Sequence, residues 1–220
     1  MQFSCTALQN SFVGTKAMEM DMTFLRYFAP LFFIVYLAAA FVWPSVRAYQ
    51  KTGKNPVTFG GTDSAHDFIG ASFKVLLLLV AGTLALFATG SGIYSYVLPA
   101  YYLEHPIVHW IGVGLCLISL SWTMVAQWQM GASWRIGIDE HDAGALVTIG
   151  LFARSRNPIF LGMQVTLLGL FLITPSALTG VVLISSWLLI QIQARLEESF
   201  LERQYGDAYK VYQEQVPRFL

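Results

Sequence analysis

Charge is what this 220-residue chain has least of: 12% of its residues are charged and 55% are hydrophobic. A soluble domain carries about 25% charged residues, so a water-facing globule of this size would lack the charge to cover its surface. Net charge is also absent, with 13 Lys+Arg against 13 Asp+Glu. That argues against the basic stripe by which a protein holds nucleic acid. Cysteine is nearly missing. Cys5 and Cys116 form neither a disulfide framework nor a metal-ligand spacing, and Cys116, inside an apolar run, reads as a small core residue. His66, His105, His109 and His141 share no metal-binding spacing either. Residues 1–22 do not pair a basic stretch with an apolar one, so they do not read as a cleaved signal peptide.

What the chain has instead is long apolar runs. A helix needs about 20 residues to cross a hydrocarbon core of roughly 30 Å. Tyr27 to Val46, Phe68 to Thr89 and Ile107 to Met130 supply three such spans. From Asn157 to Ala194 the chain runs 38 residues without a charge. As one helix this would be about 57 Å long; the break at Thr174-Pro175-Ser176 instead predicts a hairpin, Pro158 to Thr174 and Ala177 to Ala194. The predicted fold is all-α: an integral membrane bundle of five transmembrane helices, the last two a helical hairpin, followed by a cytoplasmic C-terminal helix. Its divisions are a tail at 1–26, three spans at 27–130 and a functional core at 131–220.

Five spans place eleven basic residues on or near one face and leave Lys16 and Arg26 on the other. The positive-inside rule then puts the N-terminus outside and the C-terminus in the cytoplasm. The segments between spans are too short to fold alone, so any site must form where loops meet helix ends. The hairpin returns Arg156 and Arg195 to one face, with Arg156-Asn157-Pro158 beside Glu197-Glu198. Charges at a membrane interface are expensive unless they pair or face a polar ligand. An ion-pair cluster and a ligand site are both open readings. Asp139, Glu140, His141 and Asp142, just ahead, read as a solvated loop or as a lid. Gly162, Thr166 and Gly169 form a small-residue face for a neighbouring helix.

The pattern L-V-T-x-G-x-F-x-x-x-R-N-P-I-F-x-G, an apolar hairpin, then E-E-x-x-L-x-x-x-Y-G-x-x-Y-x-x-Y-x-x-x-V-P-R-F covers about Ala145 to Phe219. It resembles the isoprenylcysteine carboxyl methyltransferase and phospholipid methyltransferase family. The resemblance implies methyl transfer from S-adenosyl-L-methionine to a lipophilic or lipid-linked acceptor, in a bacterial inner membrane and with the lipid bilayer as surroundings. The cofactor-binding residues it implies are Gly144, Ala145, Leu146, Val147, Phe152, Asn157, Pro158, Ile159, Phe160 and Glu197; the catalytic set is Arg156, Arg195 and Glu198. No metal is implied. Asn157 stands where better-known members have His, and Phe160 where they have Tyr. Gln193 occupies the position of an arginine that eukaryotic members use on a substrate carboxylate, whereas Arg195 lies two residues on. Sterol reductases, which use NADPH, resemble the same C-terminal motifs but have more spans than 220 residues supply. A non-catalytic membrane scaffold of the same fold is the third reading.

Overall fold

The structure, a computed structural model, describes residues 21–53, 64–131 and 146–220. Within them the chain is helical and forms no strand; the one β-bridge pairs Pro99 with Ser176. Four helices are long and apolar enough to cross a membrane: α1 (Asp21–Gln50), α2 (Ala65–Thr89), α3 (Pro106–Met130) and α5 (Ala177–Tyr205). Between the last two lies α4 (Pro158–Ile173), apolar but only 16 residues long. The short helix α6 (Asp207–Gln215) closes the chain.

Local chemistry sets these boundaries. At the start of α2 the Ser64 hydroxyl accepts from the Asp67 N–H, and Gly90 ends the helix at a φ of 60°. Pro106 and Pro158 occupy the first turns of α3 and α4, where a missing N–H costs nothing. Pro175 ends α4, and Ser176 with Thr179 forms a capping box that opens α5. The predicted hairpin is thus present, but α5 does not stop at Ala194; it runs as one helix through Glu197 and Glu198 to Tyr205. Helix α1 carries a π-helical turn at Ala38–Val42. There the Ala40 carbonyl accepts from the Gln127 amide of α3.

Helices α3 and α4 pack against each other through small residues. A Cβ on Gly112 would come within 2.7 Å of the Gly169 carbonyl oxygen, so only glycine allows this approach. Further along the seam Ser119 Oγ bonds Thr166 Oγ1 at 2.8 Å, and Trp122 Nε1 donates to the Pro158 carbonyl at 2.8 Å. The dry core sits at the end of the bundle that holds the hairpin turn, where Leu25, Phe32, Leu84, Phe87, Val113, Ile173 and Val182 are buried together. The other end, where α3, α4, α5 and α6 meet, is hollow.

Candidate active site

The hollow is a cavity of about 370 Å³. It falls within the roughly 300–1,000 Å³ usual for small-molecule sites. Two chemistries line it. Toward α6 the wall consists of Leu146, Val147, Phe152, Arg156, Asn157, Glu197, Tyr205, Tyr209 and Tyr212. Deeper in the bundle it is apolar, with Phe33 and Phe41 of α1, Phe73, Leu77 and Val80 of α2, and Leu167 and Val182 opposite. Pro158, Ile159 and Phe160, the first turn of α4, stand between them.

The polar end is assembled around Glu198, which is buried. Its Oε1 accepts from Arg156 Nη2 at 3.1 Å, Arg156 Nε at 3.3 Å, Asn157 Nδ2 at 3.2 Å and Arg218 Nε at 2.9 Å; its Oε2 accepts from Arg218 Nη2 at 2.7 Å. A carboxylate offers about four lone-pair sites, so Glu198 is saturated. The bonds of Arg218 to Glu198 in turn raise the guanidinium's pKa above its ordinary value, against the effect of burial. Arg156 spends four of its five N–H donors in the same knot. Its Nη1 donates to the carbonyls of Gln213 at 2.8 Å and Val216 at 2.6 Å. The Arg156 and Asn157 N–H groups donate to the carbonyls of Pro217 and Arg218. The C-terminal segment therefore folds back and is stitched to R-N-P, with the buried carboxylate as the knot.

Other bonds hold the aromatic wall. Tyr212 donates its hydroxyl to the Phe152 carbonyl at 2.6 Å, and the Leu151 N–H donates to Gln129 Oε1 at the end of α3. Burial pushes the Tyr212 hydroxyl up to about 12 and raises that of Tyr209 too. Both are neutral donors at physiological pH.

On the cavity side of α5 the arrangement differs. Gln193 Nε2 donates to Glu197 Oε1 at 3.1 Å and lies 3.3 Å from His66 Nδ1 of α2. Among the described residues, three buried polar atoms of residues in the lining have no hydrogen-bond partner: Gln193 Oε1, Gln127 Oε1 and Tyr209 Oη. Buried polar groups are nearly always satisfied, so these three orphans behind the lining set this wall apart from the fully bonded Glu198 side.

Of the residues singled out from sequence, Leu146, Val147, Phe152, Arg156, Asn157, Pro158, Ile159, Phe160 and Glu197 line this one cavity. Glu198 and Arg195 are not in the lining. Glu198 is the knot behind it, and Arg195 is exposed, its Nη1 donating to the carbonyl and side chain of Gln191 one turn back. Gly144 and Ala145 lie outside the described residues, as do Asp139 to Asp142. Sequence reasoning gave no role to Gln127, Tyr209, Tyr212 or Arg218. The last three sit in the Y-x-x-Y and V-P-R-F spacing of the tail, which was the available signal; Gln127 gives none, because a single Gln in an apolar span does not reveal the face it presents.

Apolar helices of bilayer length around a half-polar, half-apolar cavity point to an integral membrane protein with an internal cavity at one end. Residues 107–208 match the phospholipid methyltransferase family, in agreement with the resemblance carried by the R-N-P and E-E motifs. The match spans α3, α4 and α5, which provide much of the cavity. Together the family match and the apolar helices suggest a membrane methyltransferase. No curated protein matches the chain.

Proposed function

We propose that this chain transfers a methyl group from S-adenosyl-L-methionine to a lipophilic acceptor that reaches the site from the bilayer, with the hollow end of the bundle facing the cytoplasm. The supporting observation is the single cavity that joins a polar end to an apolar one. The excess of basic residues at that end supports the orientation.

The donor set of the polar end fits the cofactor. Glu197, which lines the cavity, is an acceptor suited to an α-ammonium group, with Gln193 donating to it from the same helix. Leu146, Val147 and Phe152 offer apolar surface to a base and ribose. When bound, the cofactor supplies an electrophilic methyl on a sulfonium. The protein then has to hold donor and acceptor aligned within about 3–3.5 Å and keep water out. Pro158, Ile159 and Phe160 stand where the two ends meet, and the Glu198 knot fixes the turn that presents them. Asn157 cannot become cationic, so its part is to donate to Glu198 and the Arg218 carbonyl.

Calorimetry on the purified protein in neutral detergent tests the reading: S-adenosyl-L-methionine should bind and NADPH should not. A wild-type protein that takes up no S-adenosyl-L-methionine overturns it. Membranes incubated with the radiolabelled cofactor should then place label in the lipid fraction.

A further inference from the structure

Gln193 is an unexpected residue for its place. It is 2% exposed, and on the same helix Ile190 and Ala194 are buried with it. Helices α2 and α5 pack against each other here, and an apolar side chain would fill the position without any demand for bonds. The amide instead leaves its Oε1 without a partner among the described residues. An unsatisfied buried acceptor is unfavourable, so the position is used for its nitrogen.

That nitrogen has two hydrogens and two acceptors within reach. One is Glu197 Oε1 at 3.1 Å, a helical turn further along α5; the other is His66 Nδ1 at 3.3 Å, in the first turn of α2. The bonding inventory of each group sets their order. A carboxylate only accepts, so Glu197 fixes which end of the amide faces it; the reversed amide would set oxygen against oxygen. The nitrogen so placed offers its second hydrogen to His66, whose Nδ1 is then the bare nitrogen of the ring, with the proton on Nε2. The dependence also runs back. A ring carrying its proton on Nδ1 would turn the amide round and take the donor away from Glu197. Gln193 and Glu197 line the cavity, whereas His66 is not in the lining and acts on it from behind.

We propose that His66 and Gln193 are positioning residues: together they hold the Glu197 carboxylate where it receives the cationic end of its ligand, and they tie that place to the start of α2. This deepens the functional reading above and rests on it for the ligand, the α-ammonium group of S-adenosyl-L-methionine. The chain of bonds is tested without cofactor.

The full chain, in neutral maltoside micelles and with 15N in its histidine rings, is compared by NMR with Gln193→Leu and Glu197→Ala at one fixed pH. His66 is assigned by the signals missing from His66→Asn. Wild type should show a bare Nδ1 and a protonated Nε2. Gln193→Leu should move the Nδ1 signal because its donor is gone, and Glu197→Ala should move it because the amide is free to turn. Affinity for S-adenosyl-L-methionine is measured next. Gln193→Leu should weaken it at least about tenfold, as loss of a bond to a charged group does, and His66→Phe about fivefold. His66→Asn, whose amide oxygen can accept in place of Nδ1, should restore most of that loss. In the Glu197→Ala background His66→Phe should have no further effect, because it acts through that carboxylate. Thermal unfolding of each variant separates a lost bond from a lost fold. Identical His66 signals in wild type and Gln193→Leu overturn the proposal. So does unchanged affinity in His66→Phe, or a loss of equal size with and without Glu197, which is the mark of packing alone. A wild type that binds no S-adenosyl-L-methionine overturns the methyltransferase reading instead, and the histidine signals still decide whether the three residues form one chain.

Discussion

Glu197 and Glu198 are adjacent in sequence and belong to two different regions of the molecule. On one side of α5, Glu198 takes five donated hydrogen bonds from Arg156, Asn157 and Arg218 and is out of contact with the cavity. On the other, Glu197 lines the cavity beside Gln193, whose carbonyl oxygen has no partner among the described residues. One region is spent on bonds that tie the tail to the helices, and the other lines the cavity. The difference separates two jobs that a pair of carboxylates at a membrane interface can do: fastening the chain, and receiving a ligand.

Substitutions should split along that line. The largest effect belongs to Glu198→Ala, which leaves Arg156 and Arg218 without their counter-charge. Removing one partner of a buried ion pair costs about 3–5 kcal/mol, so thermal unfolding in detergent should drop sharply and ligand binding should go with it. Glu197→Ala should do the opposite: unfolding unchanged, but S-adenosyl-L-methionine binding weakened by at least about thirtyfold, as for truncation of one partner in a hydrogen-bonded charge pair. Intact binding in that variant would return Glu197 to a structural role and erase the contrast. Arg218→Ala keeps Arg156 on Glu198. Because the Arg218 side chain is 29% exposed, its loss should cost about 1–2 kcal/mol, less than a fully buried charged bond; a cost equal to that of Glu198→Ala would mean that the tail carries the whole knot. Smallest is Arg195→Ala. This exposed side chain bonds only one turn back on its own helix, so stability should move by no more than about 0.5 kcal/mol, with cofactor binding the same as in wild type.

The sequence made part of this legible. The uncharged stretch from Asn157 to Ala194, broken at Pro175, brings R-N-P to E-E because a hairpin must return to its starting face. It did not reveal which glutamate meets the cavity. Successive residues on a helix differ by about 100°, and two neighbouring carboxylates look alike until the packing of α5 sets its rotation. Arg218 was visible only as the end of a motif; its bond to Glu198 depends on the tail folding back over Arg156, a long-range contact that no local pattern encodes. The opposite wall was hidden for a different reason. Apolar helices such as α1 and α2 carry hydrophobic residues on every side, so the inward stripe through Phe73, Leu77 and Val80 shows only once the helices are packed.

The shortness of α4 has a consequence for where chemistry can occur. Its 16 residues make a rod of about 24 Å, against about 30 Å for the hydrocarbon slab. Asn157, at its start, bonds Glu198, and from there α5 climbs about 10 Å further before it ends at Tyr205. The last two turns of α5 thus run on beyond the R-N-P turn, so the polar end of the cavity is walled by helix and tail above the apolar half. An acceptor of the kind proposed above, held by its tails against the apolar half, would meet the polar end without leaving the enclosure of the helices.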